Sequence, residues 1–158
     1  MELLGLVIAL FGAALAIFLA GSGSAHGVGL AGSAANGLLS EEPEKFGTML
    51  LLVALPGTQG IYGFLTGFLV ILKVGLLGEK VLPVSPLQGA QILVACLPIA
   101  IAGCISAIHQ GRVCAAGIAV VAKQPESSMK ALIYGAMVET YAVLALVISI
   151  FMLMAVKL

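Results

Sequence analysis

The sequence predicts an all-α membrane protein, a four-helix bundle made of two duplicated helical hairpins. Three observations carry this prediction. Of its 158 residues, 61% are hydrophobic and only 9% charged, against roughly 25% charged in an average globular domain, and the mean hydropathy is +1.21. Residues 3–40, 46–72 and 81–111 carry no Lys, Arg, Asp or Glu, and residues 131–156 carry Glu139 alone; each run exceeds the ~20 residues that cross a bilayer. Finally, a shift of about 82 residues lays Pro43 and Glu44 on Pro125 and Glu126, the same dipeptide in two polar loops. A soluble enzyme and a disordered tail are excluded. A net charge of zero with no basic cluster excludes a nucleic-acid binder as well.

The first helix is expected over about 3–39. Small residues at 21–25 resemble a signal-peptide cleavage site, but the segment before the apolar run holds Glu2 and no Lys or Arg, so it reads as a retained helix. Gly21, Ala25 and Gly29 recur every four residues, as do Gly23, Gly27, Ala31 and Ala35. Such stripes let helix backbones approach closely in lipid and suit the crowded inner wall of a ring of many copies. A polar break around Pro43 precedes the second helix, about 45–77, and one at 78–86 precedes the third, about 86–122. The third helix repeats the small-residue theme at Gly103, Ala107, Gly111 and Ala115. Cys96, Cys104 and Cys114 have no metal-ligand spacing and read as packing residues. The fourth helix, about 128–156, follows the break at Pro125. The chain is thus one membrane domain, 1–158, with repeat one over about 1–78 and repeat two over about 86–158. An even number of helices per repeat gives both hairpins one orientation, so both Pro-Glu loops lie on one side of the membrane. Lys45, Arg112, Lys123 and Lys130 lie towards that side and Lys73, Lys80 and Lys157 towards the other, a slight bias towards cytoplasmic Pro-Glu loops.

Glu139 is the acidic residue set deep in an apolar span. A carboxylate there is costly unless a proton, a cation or hydrogen-bond donors neutralise it, so such a residue is a functional site by default. On the second helix Leu55, Thr58, Gln59 and Tyr62 follow i, i+3, i+4, i+7 spacing and share one face, and the third helix offers Gln110. A proton needs one acceptor, whereas a small hard cation needs several oxygens to replace its water; a carboxylate with a hydroxyl and two amides points to Na+. Tyr62 is placed to donate its phenolic hydrogen to Glu139 and hold the carboxylate over the ion. Pro56, between Gly57 and Leu55, removes a backbone hydrogen bond, which predicts a deformed turn that exposes the Leu55 carbonyl. Under the repeat, the position matching Glu139 is Gly57, so four helices provide one site. His26 and His109 read as helix-end residues near the cytoplasmic surface.

At these residues the sequence resembles the 16 kDa proteolipids, or K subunits, of V-type ATPases, above all those of the bacterial Na+-translocating branch. The resemblance spans nearly the whole chain: Gly-Ser-Ala-His-Gly-Val-Gly at 23–29, Pro-Glu-Lys-Phe-Gly at 43–47, Leu-Pro-Gly-Thr-Gln-Gly-Ile-Tyr-Gly-Phe at 55–64, Leu-Pro-Ile-Ala at 97–100, Gln-Gly-Arg-Val at 110–113 and Ala-Met-Val-Glu-Thr-Tyr-Ala at 136–142. It implies a rotor ring of identical subunits in the cell membrane, surrounded by lipid and attached through its cytoplasmic loops to the central stalk. It implies Glu139 as the ion carboxylate, Thr58, Gln59, Gln110 and the Leu55 carbonyl as further ligands, and Tyr62 as the locking hydroxyl.

The expected mechanism is rotary carriage: each Glu139 stays paired with its ion while facing lipid and exchanges it at a stator subunit, where an Arg opens the lock. No P-loop pattern occurs, so nucleotide chemistry is expected on other chains, and this chain has no catalytic site of its own. Related rings carry H+ on much the same framework, which makes a proton the alternative cargo. A stand-alone cation channel or transporter, with Glu139 and Gln110 lining a path, is the competing class of function.

Overall fold

The structure, a computed structural model, describes residues 2–158; Met1 lies outside them. The elements in order are α1 (Glu2–Leu39), a 3-10 turn at Pro43–Lys45, α2 (Phe46–Ala54), a second 3-10 turn at Leu55–Gly57, α3 (Thr58–Lys73), α4 (Pro86–Lys123), a third 3-10 turn at Pro125–Ser127 and α5 (Ser128–Ala155). No strand occurs among the described residues. Four stretches are long and apolar enough to cross a membrane: Leu3–Leu39, Pro43–Lys73, Pro86–Lys123 and Pro125–Ala155. The second of these is α2 and α3 together.

The second span differs from the single helix expected over 45–77. Pro56 has no N–H to carry the α-helical ladder forward, and the chain tightens into the 3-10 turn before resuming as α3. The sequence predicts an exposed Leu55 carbonyl there, and the structure instead has it occupied. It accepts both the Thr58 backbone N–H and the Thr58 hydroxyl, at 2.9 Å. At the other end α3 stops at Lys73 because Gly75 takes a left-handed conformation, φ +73. The Gly75 N–H bonds back to the Leu72 carbonyl and the Leu76 N–H to the Ile71 carbonyl, the Schellman arrangement that closes a helix with glycine after its cap.

The third helix opens with a reciprocal cap. Ser85 Oγ accepts the Gln88 N–H and Gln88 Oε1 accepts the Ser85 N–H, with Pro86 at the first helical position. Gln88 also donates to the Lys157 carbonyl at 2.7 Å, tying the end of the chain to the start of α4. Pro98 lies inside α4 without ending it. The neighbouring Ile99 N–H finds the Ser149 hydroxyl of α5 at 3.2 Å, a substitution of side chain for backbone that lets a membrane helix tolerate proline.

Packing follows the small residues. Helix α1 lies parallel to α4: the backbone of Gly12 meets Leu93, Gly23 meets Cys104 and Gly27 meets Gly111. At the last crossing a Cβ on Gly27 would collide with the Ala107 carbonyl oxygen and one on Gly111 with the Gly27 Cα, so only glycine permits the approach. Lipid offers no hydrophobic drive to pair helices, so this close van der Waals contact carries the association. Helix α3 returns antiparallel along α1, with Gly63 against Ala16 and Ala20, and α5 returns along α4, with Gly117 against Ala131. The α1–α4 seam is the most extensive helix contact, whereas α3 and α5 touch far less. The molecule is therefore a wedge, thin along α1 and α4 and splayed along α3 and α5. Apolar side chains such as Phe64, Phe68, Leu144, Ile148 and Phe151 stand exposed on the splayed side, the surface a hydrocarbon solvent favours. The three cysteines are free and, among the described residues, no group of His, Cys, Asp or Glu side chains has the makings of a metal cluster.

Candidate ion-binding site

The polar residues singled out from the sequence converge between α3, α4 and α5. Tyr62, on α3, donates its hydroxyl to Glu139 Oε1 on α5 at 2.5 Å. Gln110, on α4, approaches Glu139 Oε2 with Nε2 at 3.5 Å and donates the same nitrogen to the Gly135 carbonyl at 3.0 Å. Gln59 donates Nε2 to Gln110 Oε1 at 2.5 Å. Thr58 donates to the Leu55 carbonyl and, at 3.4 Å, to Gln59 Oε1. One connected network therefore runs from the Leu55 carbonyl to the Glu139 carboxylate.

Local structure explains the convergence. The Leu55–Gly57 turn and the first turn of α3 bring Leu55, Thr58 and Gln59 to one level, and Tyr62 follows one helical turn on. Gln59 and Gln110 are fully buried, which in a dry interior demands that each amide group be paired. No buried side-chain nitrogen or oxygen is left without a partner among the described residues. Thr58, Tyr62 and Glu139 are half-buried, so the carboxylate lies at the edge of the network rather than sealed within it.

Two groups that sequence reasoning did not single out complete the arrangement. Ser106 accepts Gln59 Nε2 at 3.3 Å and donates to the Val138 carbonyl at 2.9 Å; the signal was present, since Ser106 lies four residues before Gln110 and shares its helix face. The Gly135 carbonyl, one turn before Glu139, holds the Gln110 amide. No side-chain pattern marks a backbone acceptor.

The donor set is chemically uneven. Glu139 receives a hydroxyl and an amide nitrogen, groups that stabilise a negative oxygen. The Leu55 carbonyl, Thr58 hydroxyl, Gln59 Oε1 and the carboxylate are oxygens, the donor type that a hard cation takes. Gln110 presents nitrogen to Glu139 and gives its oxygen to Gln59, so in this hydrogen-bonding pattern it steadies the carboxylate. His26 and His109 are exposed and make none of these bonds.

In the first hairpin the helix pair equivalent to α4 and α5 has Gly57 at the carboxylate position. Ser24, the counterpart of Ser106, accepts the Gly60 N–H at 2.8 Å there. One half of the duplication thus holds an acidic site and the other a serine-to-backbone hydrogen bond with glycine in place of the acid.

The duplication appears again in comparison with known proteins. The sequence profile of the ATP synthase C-subunit family matches residues 11–70 and, a second time, residues 93–152, the same offset that aligns the two Pro-Glu loops. The V-type sodium ATPase subunit K of Enterococcus hirae is 49% identical over 145 residues, 92% of this chain and 89% of that protein. The A-type ATP synthase subunit K of Methanocaldococcus jannaschii is 37% identical over 151 residues, 96% of this chain and 64% of that protein. With both hairpins matched and relatives of this similarity along nearly its whole length, the chain belongs to the ATP synthase C-subunit family.

Proposed function

We propose that this chain is the membrane rotor subunit of a V-type ATPase, assembling with identical copies into a ring that carries Na+ on Glu139. The observation that supports it most is the network around that carboxylate. Tyr62 and Gln110 bring hydrogen-bond donors to the acid, and the Leu55 carbonyl, Thr58 and Gln59 add oxygens linked to it through Gln110. Proton carriage needs one acceptor and no such cage. The name of the Enterococcus hirae relative, a sodium ATPase subunit, agrees with this cargo. The wedge shape, thin along α1 and α4, suits copies arranged about an axis.

In this reading Glu139 binds the ion with Thr58, Gln59, the Leu55 carbonyl once the Thr58 hydroxyl turns from it, and, after rotation of its amide, Gln110. Tyr62 fixes the carboxylate in the closed position while it faces lipid. At the stator a fixed Arg draws the carboxylate away, breaking the Tyr62 bond and freeing the ion to exchange. The Pro-Glu loops face the cytoplasm and meet the central stalk, which couples rotation to ATP hydrolysis or synthesis on other subunits. The chain itself performs no chemistry on nucleotide.

Labelling with a hydrophobic carbodiimide, which modifies the protonated carboxyl, tests the cargo. Across a pH series, Na+ slows modification of Glu139 if it occupies the site. Equal rates with and without Na+ at every pH would assign the site to protons. An ion flux through the purified chain alone, reconstituted without a stator, would instead make it a channel.

A further inference from the structure

We propose that Ser106 is a positioning residue of the ion site: its hydroxyl is an acceptor of fixed polarity that keeps the oxygen of the Gln59 amide, rather than its nitrogen, turned towards Thr58 and the cargo. This role rests on the Na+ reading proposed above and adds to it a residue that does not touch the ion.

The two amides of the network do not set their own direction. Each presents an oxygen on one side and a nitrogen on the other, and Gln59 faces Gln110 through a single bond, Nε2 to Oε1. If both amides turn over, that bond survives with donor and acceptor exchanged, but Gln59 then shows Thr58 a nitrogen, which a hard cation does not take as a ligand. Thr58 does not choose between the two arrangements. Its hydroxyl is already given to the Leu55 carbonyl at 2.9 Å and stands 3.4 Å from Gln59 Oε1, and a hydroxyl oxygen accepts as well as it donates.

Without an ion the Gly135 carbonyl helps to choose. It holds Gln110 Nε2 at 3.0 Å, which leaves Gln110 Oε1 for Gln59. That choice reverses when Gln110 turns its oxygen to the ion: its nitrogen then faces Gln59 and draws the Gln59 oxygen away from the cargo. Ser106 is the group whose polarity does not reverse. It is buried, and its hydrogen is committed at 2.9 Å to the Val138 carbonyl, which can only accept. Its oxygen is therefore left with lone pairs, and it accepts Gln59 Nε2 at 3.3 Å. Val138 directly precedes Glu139, so the backbone that carries the acid also fixes the direction of the Gln59 amide. The other hairpin uses its serine differently. Ser24 spends its oxygen on the Gly60 N–H at 2.8 Å, so the hairpin without an acid has its serine oxygen taken by backbone, and the hairpin with the acid keeps that oxygen for an amide.

Carbodiimide modification of Glu139 in the assembled multimer tests the role, with native mass and helicity measured first for each variant. Ser106→Ala leaves Gln59 Nε2 without an acceptor once Gln110 has turned to the ion, so the half-protecting Na+ concentration rises by about five- to hundredfold. Without Na+, Gln110 still accepts Gln59, and the modification rate stays within about twofold of the parent value. Ser106→Cys, of similar volume but a weak acceptor, shows the same split. If both variants protect within about twofold of the parent, or if Ser106→Cys alone does, volume rather than polarity is what the site needs, and the positioning role is overturned while the Na+ reading stands. A Na+-free rate that changes as much as the half-protecting concentration makes Ser106 a packing residue, as does failure of both variants to assemble; either result overturns the role. A parent that Na+ does not protect at any concentration overturns the cargo and this role together.

Discussion

Removing one oxygen atom, Tyr62→Phe, isolates the lock from the rest of the site. The Tyr62 hydroxyl donates to Glu139 Oε1 at 2.5 Å, and the second donor to that carboxylate, Gln110 Nε2, stands at 3.5 Å. The short bond therefore carries most of the orientation of the acid. A hydrogen bond to a charged group contributes about 1.5–3 kcal/mol net, and each 1.4 kcal/mol is about tenfold in an equilibrium constant. If the bond is made only when the carboxylate is closed over its ion, its loss raises the Na+ concentration needed for half-protection by about ten- to hundred-fold. The phenyl ring keeps the packing of a half-buried side chain, so the fold is preserved. The assay is the rate of carbodiimide modification of Glu139 against Na+ concentration at fixed pH, in the assembled multimer. A half-protecting concentration within about twofold of the parent value would refute the reasoning, since a free energy of about 1.5 kcal/mol or more does not vanish into so small a change.

Other substitutions separate the remaining parts. Glu139→Gln keeps acceptors and donors for Tyr62 and Gln110 but removes the charge; carbodiimide modification at this position and Na+-coupled rotation both disappear, while native mass and helicity remain. Thr58→Val removes a hydroxyl at the cost of one neutral hydrogen bond, about 0.5–1.5 kcal/mol, and raises the half-protecting Na+ concentration by about two- to tenfold. Ser106→Ala leaves Gln59 Nε2 with Gln110 as its sole acceptor, so the variant loses about 1 kcal/mol of stability in detergent melting, and Gln110 is held less free to rotate towards the ion. Gly27→Ala drives a Cβ into the Ala107 carbonyl oxygen and lowers stability by about 1–3 kcal/mol through overpacking. Gly37→Ala, where the same addition meets open space, is neutral or slightly stabilising; equal melting of the two variants would contradict the tight seam.

Much of this architecture was legible because lipid makes the rules strict. Four apolar runs, broken at prolines, account for the four spans, since every backbone group in a bilayer must be satisfied internally. The clustering of Leu55, Thr58, Gln59, Tyr62, Gln110 and Glu139 was legible for a related reason: polar side chains in apolar helices need one another. What was not legible depended on geometry between helices. The end of α3 at Lys73, short of 77, turns on the left-handed Gly75, one glycine among 20 in the sequence. The Leu55 carbonyl is taken up by Thr58 because the turn tightens rather than opens. Ser106 and the Gly135 carbonyl enter only once α3 and α5 are laid on α4, and the side of Gln110 that faces the acid is set by its competition between Gln59, Gly135 and Glu139. The two stripes on α1 look alike in sequence; packing alone separates the buried set from the exposed one.

The taper of the molecule has a mechanical consequence. A chain that is thin along α1 and α4 and broad along α3 and α5 turns its neighbour through a set angle, and that angle fixes how many chains complete a circle. Under the proposed carriage of one ion on each Glu139, the count of chains is also the count of ions moved per revolution. The shape of the surfaces where copies meet is thus the gear ratio of the machine: it touches no ion yet helps decide how much electrochemical work one full turn exchanges with ATP.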